Sequence, residues 1–174
     1  MSQSEVTEFW ISGPVDHVPE LLQPVAHTLL QVQREINQIM FGFPDSLMWK
    51  KIAGTASPAF HLQHIPGVLD RLFTYANERS LNADQLKYLG AEGKDDPNIT
   101  FTDLLKKLNE CIDHSILQLS FIDIEHLNAF RGVGRRKLPS TVLGLLFHAA
   151  EHSMRHTGQL LVTIKILKSI KSDS

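Results

Sequence analysis

The sequence predicts an all-α fold: an antiparallel four-helix bundle with long connections between helices two and three and between helices three and four. Four long segments repeat apolar residues in steps of three and four, the period of an amphipathic helix. No segment shows a convincing set of alternating strands, and there is no internal repeat or domain-splitting linker. We therefore expect a single domain over residues 1–174, with residues 1–17 as a lead-in segment.

Proline and capping residues mark the first two helices. The apolar repeat of helix one becomes regular near Pro24 and continues to residue 39. Ser57 and Pro58 are typical of an N-cap and a first helical position, and they predict that helix two begins there and ends near residue 77. Pro66 lies inside this helix and lacks a backbone N–H, so we expect a kink or a loosened turn beside it.

The middle of the chain predicts a short helix, a polar loop and the third long helix. Asn82 is a suitable cap for a helix over residues 82–89, and residues 90–98 are polar and rich in turn formers. Thr100 and Asp103 have the spacing of a capping box, with aspartate in place of the usual glutamate. They predict a helix that carries its apolar stripe to about Leu119.

The last helix follows a long connection without helical period, residues 122–139, and is expected to begin at Ser140 and end near Ser169. It carries three histidines in steps of four, which places their rings on one helix face. The three histidines and the other residues of that face are His148, His152, His156, Leu145, Ala149, Gln159, Thr163 and Ile166. This pattern predicts that the histidines lie on the inward seam of a packed helix.

Charge and composition exclude several classes of function. The net charge of −2 provides no basic footprint for nucleic acid or for an anionic membrane. No apolar run approaches the roughly 18 residues that span a bilayer, and the first dozen residues lack the basic character of a secretory signal. We therefore expect a cytoplasmic protein that acts on a small molecule. Cys111 is the only cysteine and lies on an apolar stripe, so it is expected to pack rather than react.

The histidines have two interpretations. A single histidine on an apolar face usually donates to a backbone carbonyl and has no further role. Two imidazoles one turn apart on an inward seam need partners that leucine-rich neighbours do not supply, and one metal ion satisfies both. His152 and His156, with either His61 or His64 from helix two, would form a three-nitrogen set with open positions. Helix periodicity places His61 nearer the apolar stripe, so both remain candidates.

One competing motif is the HxxEH signature of a metalloprotease, which His148, Glu151 and His152 match, with Glu151 as the general base. Such a protease needs a further acidic ligand from another element. After His152 the only acid is Asp173 in the tail, which makes the protease a weak interpretation.

Several motifs resemble those of a known family: FHLQHI at residues 60–65, HSMRHTGQ at 152–159, LPST at 138–141, and the GPV…VPELL…P opening at 13–24. On these motifs the sequence is similar to the DinB/YfiT-like superfamily of four-helix-bundle metalloenzymes, over nearly the whole chain. The resemblance implies a metal triad of His64, His152 and His156. It leaves His61, His148 and Gln159 as outer partners of the ligands or as alternates, and Glu151 as a candidate catalytic group.

The resemblance also implies a chemistry. Characterised relatives use the metal to activate a low-molecular-weight thiol, so it implies a thiol-dependent S-transferase in stress response or detoxification. The implied cofactors are a divalent transition metal (zinc, nickel or iron) and a thiol, and the implied assembly is a homodimer. The alternatives are a metal-dependent hydrolase that activates water, with Glu151 as its base, and a non-catalytic metal-binding dimeric scaffold.

Overall fold

The structure, a computed structural model, describes residues 7–172 and is mostly helical, as predicted. The helices are α1 (Gln23–Met40), α2 (Pro58–Ala76), α3 (Ala83–Ala91), α4 (Phe101–Leu119) and α5 (Val142–Ser172), and the strands are β1 (Phe130–Val133) and β2 (Leu138–Thr141). Short 3-10 helices occupy Phe9–Ile11, Glu20–Leu22, Asp45–Leu47 and Ile124–His126. Residues 1–6 of the predicted lead-in and Asp173 lie outside the described residues. Within the described chain, no helix has the length and apolar character needed to cross a membrane.

The long helices begin and end close to the residues that their local signals predict. The Ser57 hydroxyl accepts from the Phe60 amide at 3.3 Å, and α2 then continues through Pro66 without interruption. Asn82 caps α3, and Thr100 with Asp103 forms the capping box of α4. These features depend on neighbours along the chain, which explains why local sequence predicts them.

The four long helices form a ring in which α1 and α2 each pack against both α4 and α5. Helices α1 and α4 run antiparallel, since Gln33 Nε2 donates to Asp113 Oδ1 at 2.9 Å while Asn37 Nδ2 donates to Asn109 Oδ1 at 2.8 Å. Helix α3 packs against α2, and Lys107 of α4 lies over the Tyr88 ring of α3, 3.5 Å from its centroid.

Helices α2 and α4 run in the same direction, so this pair departs from the predicted antiparallel bundle. The Cys111 thiol donates to the Pro66 carbonyl at 3.4 Å, and Asn77 Nδ2 donates to Gln118 Oε1 at 3.3 Å. A later residue of α2 therefore contacts a later residue of α4, as in two parallel helices. The physical reason is the long connection between the two helices. With α3 it returns the chain along the bundle before α4 begins.

The hairpin of β1 and β2 adds a small sheet to the predicted all-α fold, and it corrects the prediction that Ser140 caps the last helix. Ser140 pairs with Arg131 in the antiparallel ladder, so it stays extended. The helix begins two residues later, where Thr141 Oγ1 accepts from the Gly144 amide at 3.0 Å. Arg131 Nε donates to the Ala76 carbonyl at 2.8 Å and attaches the hairpin to the end of α2.

The inward seam of α5 lies beside the histidines and not on them, which corrects the predicted face. Its buried residues are Val142, Leu145, Leu146, Ala149, Ala150, Ser153, Thr157, Leu160, Thr163, Ile164 and Leu167. Opposite α2 the buried residues of α5 are small: Ala149, Ser153 and Thr157. Small residues allow two helix backbones to pack closely, and the larger imidazoles then lie at the edge of the buried face. Gln159 and Ile166, which were expected to face inward, are exposed.

Candidate metal centre

Helices α2 and α5 bring the Nε2 atoms of three histidines together. Because the two helices run antiparallel here, His64 faces His152 while the earlier His61 faces the later His156. His64 Nε2 lies 3.0 Å from His152 Nε2, and His156 Nε2 lies 3.1 Å from the same atom. One ring nitrogen from each of His64, His152 and His156 lies within 4.8 Å of the others. The three residues can therefore hold one ion between them.

These nitrogen separations fit a transition-metal ion. Bonds of about 2.1 Å to two imidazoles at a right angle place the nitrogens about 3.0 Å apart, and a tetrahedral angle places them about 3.4 Å apart. The separations of 3.0 and 3.1 Å match the smaller angle. All three residues are half-buried, and three nitrogens fill only three of the four positions of a tetrahedral ion.

The Nδ1 atoms, which are the ring nitrogens outside the Nε2 cluster, support the assignment of His64 as a metal ligand. Its Nδ1 lies 2.6 Å from the Glu92 carboxylate, which accepts hydrogen bonds only, so this nitrogen carries the proton. In a neutral ring the inward Nε2 is then a bare lone pair facing other nitrogens, an arrangement that a cation stabilises. Of the other two rings, His156 has its Nδ1 against His61, and Nδ1 of His152 is buried without a hydrogen-bond partner in the described part of the chain.

Burial favours the neutral form of the His61, His152 and His156 imidazoles, and the neutral form is the one that binds metal. Burial, followed by the nearby His64 and His152 rings, lowers the pKa of His156 to about 3. Burial and the His64 ring lower the pKa of His61 to about 4. Burial, again followed by His64, lowers the pKa of His152 below its ordinary value.

His61 contacts the cluster through the outer nitrogen of His156, Nδ1. Its side chain is only 2% exposed, and its Nδ1 lies 3.0 Å from Nδ1 of His156, on the side of that ring that faces away from the other two Nε2 atoms. The periodicity argument that placed His61 nearer the apolar stripe therefore describes its burial correctly. Among the described residues, the set of nitrogens that can hold an ion contains His64 and does not contain His61.

The buried His61 ring is expected to make the metal-free protein less stable in mild acid. The folded pKa of about 4 lies below the ordinary 6.5, so between these values the unfolded chain binds a proton that the folded chain does not. The contribution of His61 to the free energy of unfolding is therefore fully present above pH 6.5, and it is lost as the pH falls towards 4. This ring accounts for about 3 kcal/mol, at about 1.4 kcal/mol per pH unit.

Urea denaturation of chelator-treated protein, from neutral pH down to about pH 4, measures this dependence. His61→Gln should lose the part of this dependence that His61 contributes, while the lowered pKa values of His152 and His156 keep the rest. His114→Gln, which alters an exposed histidine of α4, should retain all of it. An unchanged dependence in His61→Gln would contradict the assignment.

The other predicted site residues of α5 lie outside the three-nitrogen cluster. His148 is 47% exposed, and its Nδ1 lies 2.7 Å from Glu151 Oε1. Arg155 Nη2 donates to the second oxygen of Glu151 at 2.5 Å. His148, Glu151 and His152 form a second group with metal-ligand spacing, but the guanidinium against the carboxylate disfavours a cation there. Gln159 is exposed and lines a cleft of about 580 Å³ together with His61.

Glu151 is poorly suited to act as a general base. Partial burial raises its pKa, but hydrogen bonds from Arg155 and His148 outweigh that effect and leave the pKa below its ordinary range. A carboxylate with a lowered pKa removes protons weakly near neutral pH.

Glu92 is the residue of the site that the sequence did not indicate. It follows α3 directly, in the segment predicted to be a polar loop, yet its side chain is only 5% exposed. Its Oε2 contacts His64 Nδ1 at 2.6 Å, and its Oε1 accepts from Arg71 Nη1 at 2.5 Å. A glutamate beside a glycine in a polar stretch carries no signal that distinguishes it from a solvated residue.

Phe60 packs against the same rings. It stacks on His64 with 4.9 Å between ring centroids and 15° between planes, and it meets His61 edge to face at 5.5 Å. The aromatic residue of the FHLQHI motif therefore restricts both helix-two histidines from one side.

Comparisons with known proteins agree with this architecture. The model of the DinB superfamily matches residues 28–160. No curated protein matches the chain. A crystal structure of a Streptococcus pneumoniae protein is similar with a TM-score of 0.59 and 12% identity, over 84% of this chain and 89% of that one. An uncharacterised Clostridium difficile 630 protein has a TM-score of 0.62 and 15% identity, over 88% and 98% of the two chains. At these identities the structural similarities show the fold alone.

Proposed function

This chain belongs to the DinB superfamily, and from that premise we propose that it binds a divalent transition-metal ion through His64, His152 and His156. The observation that carries the proposal is the convergence of the three Nε2 atoms, two pairs of which lie 3.0 and 3.1 Å apart. Imidazole ligation suits zinc, nickel or iron. We further propose that residues 1–174 form one domain around this site.

When bound, such an ion supplies Lewis acidity and lowers the pKa of a thiol or water held in its open positions. The protein's own contribution is to hold three imidazole nitrogens in place, which add no charge that would oppose the charge of the ion. Neutral ligands leave the full charge of the ion available, which favours the anionic form of an added ligand. The half-buried position of the cluster leaves room for that ligand.

We propose that the added ligand is a low-molecular-weight thiol and that the protein is an S-transferase in detoxification or stress response. The thiol has to come from outside the chain. Cys111 is directed at the Pro66 carbonyl, and burial, followed by the charge of Asp70, raises its pKa to about 12. The competing hydrolase would need a general base, and the lowered pKa of Glu151 disfavours that role.

In the proposed reaction the thiol loses its proton to solvent, and its sulfur forms a bond to an electrophilic carbon. The leaving group departs from that carbon with the bonding electron pair, so no oxidant or reductant is needed.

Metal analysis of the purified wild-type protein tests the binding site. After removal of metal with a chelator and dialysis against zinc or nickel, we expect about one ion per chain. Protein without stoichiometric metal under these conditions would overturn the proposal.

Turnover of a chromogenic haloaromatic electrophile tests the reaction. We expect a rate that requires both the metal and an added thiol, and that is unchanged in Cys111→Ser because the internal thiol is not used. Hydrolysis of ester substrates without thiol would favour the hydrolase. Bound metal with neither activity would favour the non-catalytic scaffold.

A further inference from the structure

We propose that Glu92 is a positioning residue for the metal site: its carboxylate fixes the tautomer and the orientation of His64, so that the Nε2 lone pair points at the ion. This inference rests on the proposed metal-binding function and deepens it. It assigns a role to a side chain from outside the two helices that carry the histidines.

The contact between the two side chains determines which nitrogen of His64 is available. Glu92 Oε2 lies 2.6 Å from His64 Nδ1, and the two side chains are 5% and 18% exposed. The carboxylate can only accept, so the proton lies on Nδ1 and the lone pair on Nε2. A carboxylate on the outer nitrogen also increases the electron density at the inner one and so strengthens it as a ligand.

Arg71 holds the carboxylate in the orientation that this contact requires. Its Nη1 donates to Glu92 Oε1 at 2.5 Å, and its side chain is 11% exposed. The guanidinium balances a charge that would otherwise be costly to bury, and it occupies one oxygen so that the other remains for the imidazole. His64, Gly67 and Arg71 follow one another at helical spacing, so one face of α2 carries both partners of Glu92.

Gly67 makes room for this ion pair. A Cβ atom there would lie 2.8 Å from Arg71 Nη1 and 2.9 Å from Tyr88 Cε1, and it would overlap Glu92 Oε1. Real Cβ atoms do not approach so closely, so any other residue would displace the carboxylate. The absence of a side chain at this position in the middle of a helix therefore has a structural reason.

The segment that carries Glu92 is held in place by α2. The Gly93 amide donates to Gln63 Oε1 at 2.7 Å, and the Tyr88 hydroxyl donates to the Gln63 carbonyl at 2.9 Å. Gly93 has a φ of 75°, and a Cβ there would lie 2.9 Å from Phe60 Cδ2. These contacts fix the backbone on both sides of Glu92. The carboxylate is therefore preorganised against His64, as an outer partner of a metal ligand has to be.

Competition with a chromophoric chelator measures the consequence for metal affinity. We expect Glu92→Gln to bind zinc roughly 10- to 100-fold more weakly than the wild type while it still takes up one ion per chain. Glu110→Gln is the matched control, because Glu110 is an exposed glutamate of α4, and its affinity should be unchanged. An unchanged zinc affinity in Glu92→Gln would overturn the inference.

A second variant keeps both charges and tests the same contact. Gly67→Ala is expected to weaken zinc binding in the same direction by displacing the carboxylate, whereas Gly158→Ala in α5, where a Cβ meets nothing within 4 Å, should not. This pair decides the question if Glu92→Gln leaves Arg71 unpaired and folds poorly. Equal zinc affinities in the two glycine variants would then overturn the inference.

Nitrogen-15 NMR of the histidine rings in metal-free protein separates this inference from the proposed function. With His64 neutral, we expect the Nδ1–H tautomer in the wild type and a loss of that preference in Glu92→Gln, with the exposed His126 unaffected. A merely structural role for Glu92 would lower stability without changing the tautomer. If the wild type bound no metal, the proposed function would fail while the tautomer would still report on Glu92.

Discussion

Replacing His152 and His156 together by alanine is expected to weaken zinc binding by roughly four orders of magnitude. Apparent binding energies of about 10–16 kcal/mol for four-ligand zinc sites correspond to about 3 kcal/mol for each ligand, and about 1.4 kcal/mol changes an affinity tenfold. Both side chains direct Nε2 into the cluster from one face of α5, so the double variant removes two ligands at once. Chelator competition and metal analysis after dialysis measure the loss.

The control for this variant is a pair of histidines outside the cluster. His114 and His126 are exposed, so replacing both by alanine should leave the zinc affinity unchanged. Circular dichroism of the metal-free proteins checks that the variants remain folded. Retention of stoichiometric zinc by the His152→Ala/His156→Ala protein at nanomolar free zinc would place the site elsewhere.

The single variants His64→Ala and His61→Ala are expected to differ clearly in zinc affinity. His64 contributes a nitrogen 3.0 Å from His152 Nε2, so its loss should weaken binding by about a hundredfold or more, the contribution of one ligand. Within the cluster, His61 contacts Nδ1 of His156 and not the Nε2 atoms, so its loss should weaken binding by about tenfold, as for an outer partner of a ligand.

The same chelator competition distinguishes the two roles of the helix-two histidines. Nickel or cobalt substitution adds an independent readout, because their optical spectra report the number of imidazole ligands. A larger loss of affinity in His61→Ala than in His64→Ala would mean that His61, the residue favoured by helix periodicity, is the ligand.

Local sequence predicted the features of the fold that depend on neighbours along the chain. Ser57 before Pro58 and the Thr100–Asp103 pair satisfy the free amides of a helix start within four residues, so their outcome is independent of the rest of the molecule. The hairpin is different. Ser140 is as good a cap as Thr141, and only the pairing of Ser140 with Arg131 in the ladder keeps it out of the helix.

The predicted face of α5 shows a second limit of periodicity. Steps of four place His148, His152 and His156 on one side, and that grouping agrees with the rings that lie together in the structure. Periodicity does not show whether the histidine side of α5 lies at the centre of the buried face of the helix or at its edge. The close approach of α2 decides it, because only small residues such as Ser153 and Thr157 fit at the centre.

The sequence by itself determined the helical class of this protein and the spacing that places two imidazoles one turn apart on α5. Periodicity favoured His61 and the family resemblance favoured His64. The tertiary structure shows that His64 meets their Nε2 atoms, because the choice depends on how antiparallel helices align. It also decided the contact of Glu92 with His64, from which it is separated by 28 residues along the chain and which it reaches only after α3 folds back on α2. A contact between distant segments leaves no periodic trace in sequence, since periodicity records only the face of one helix.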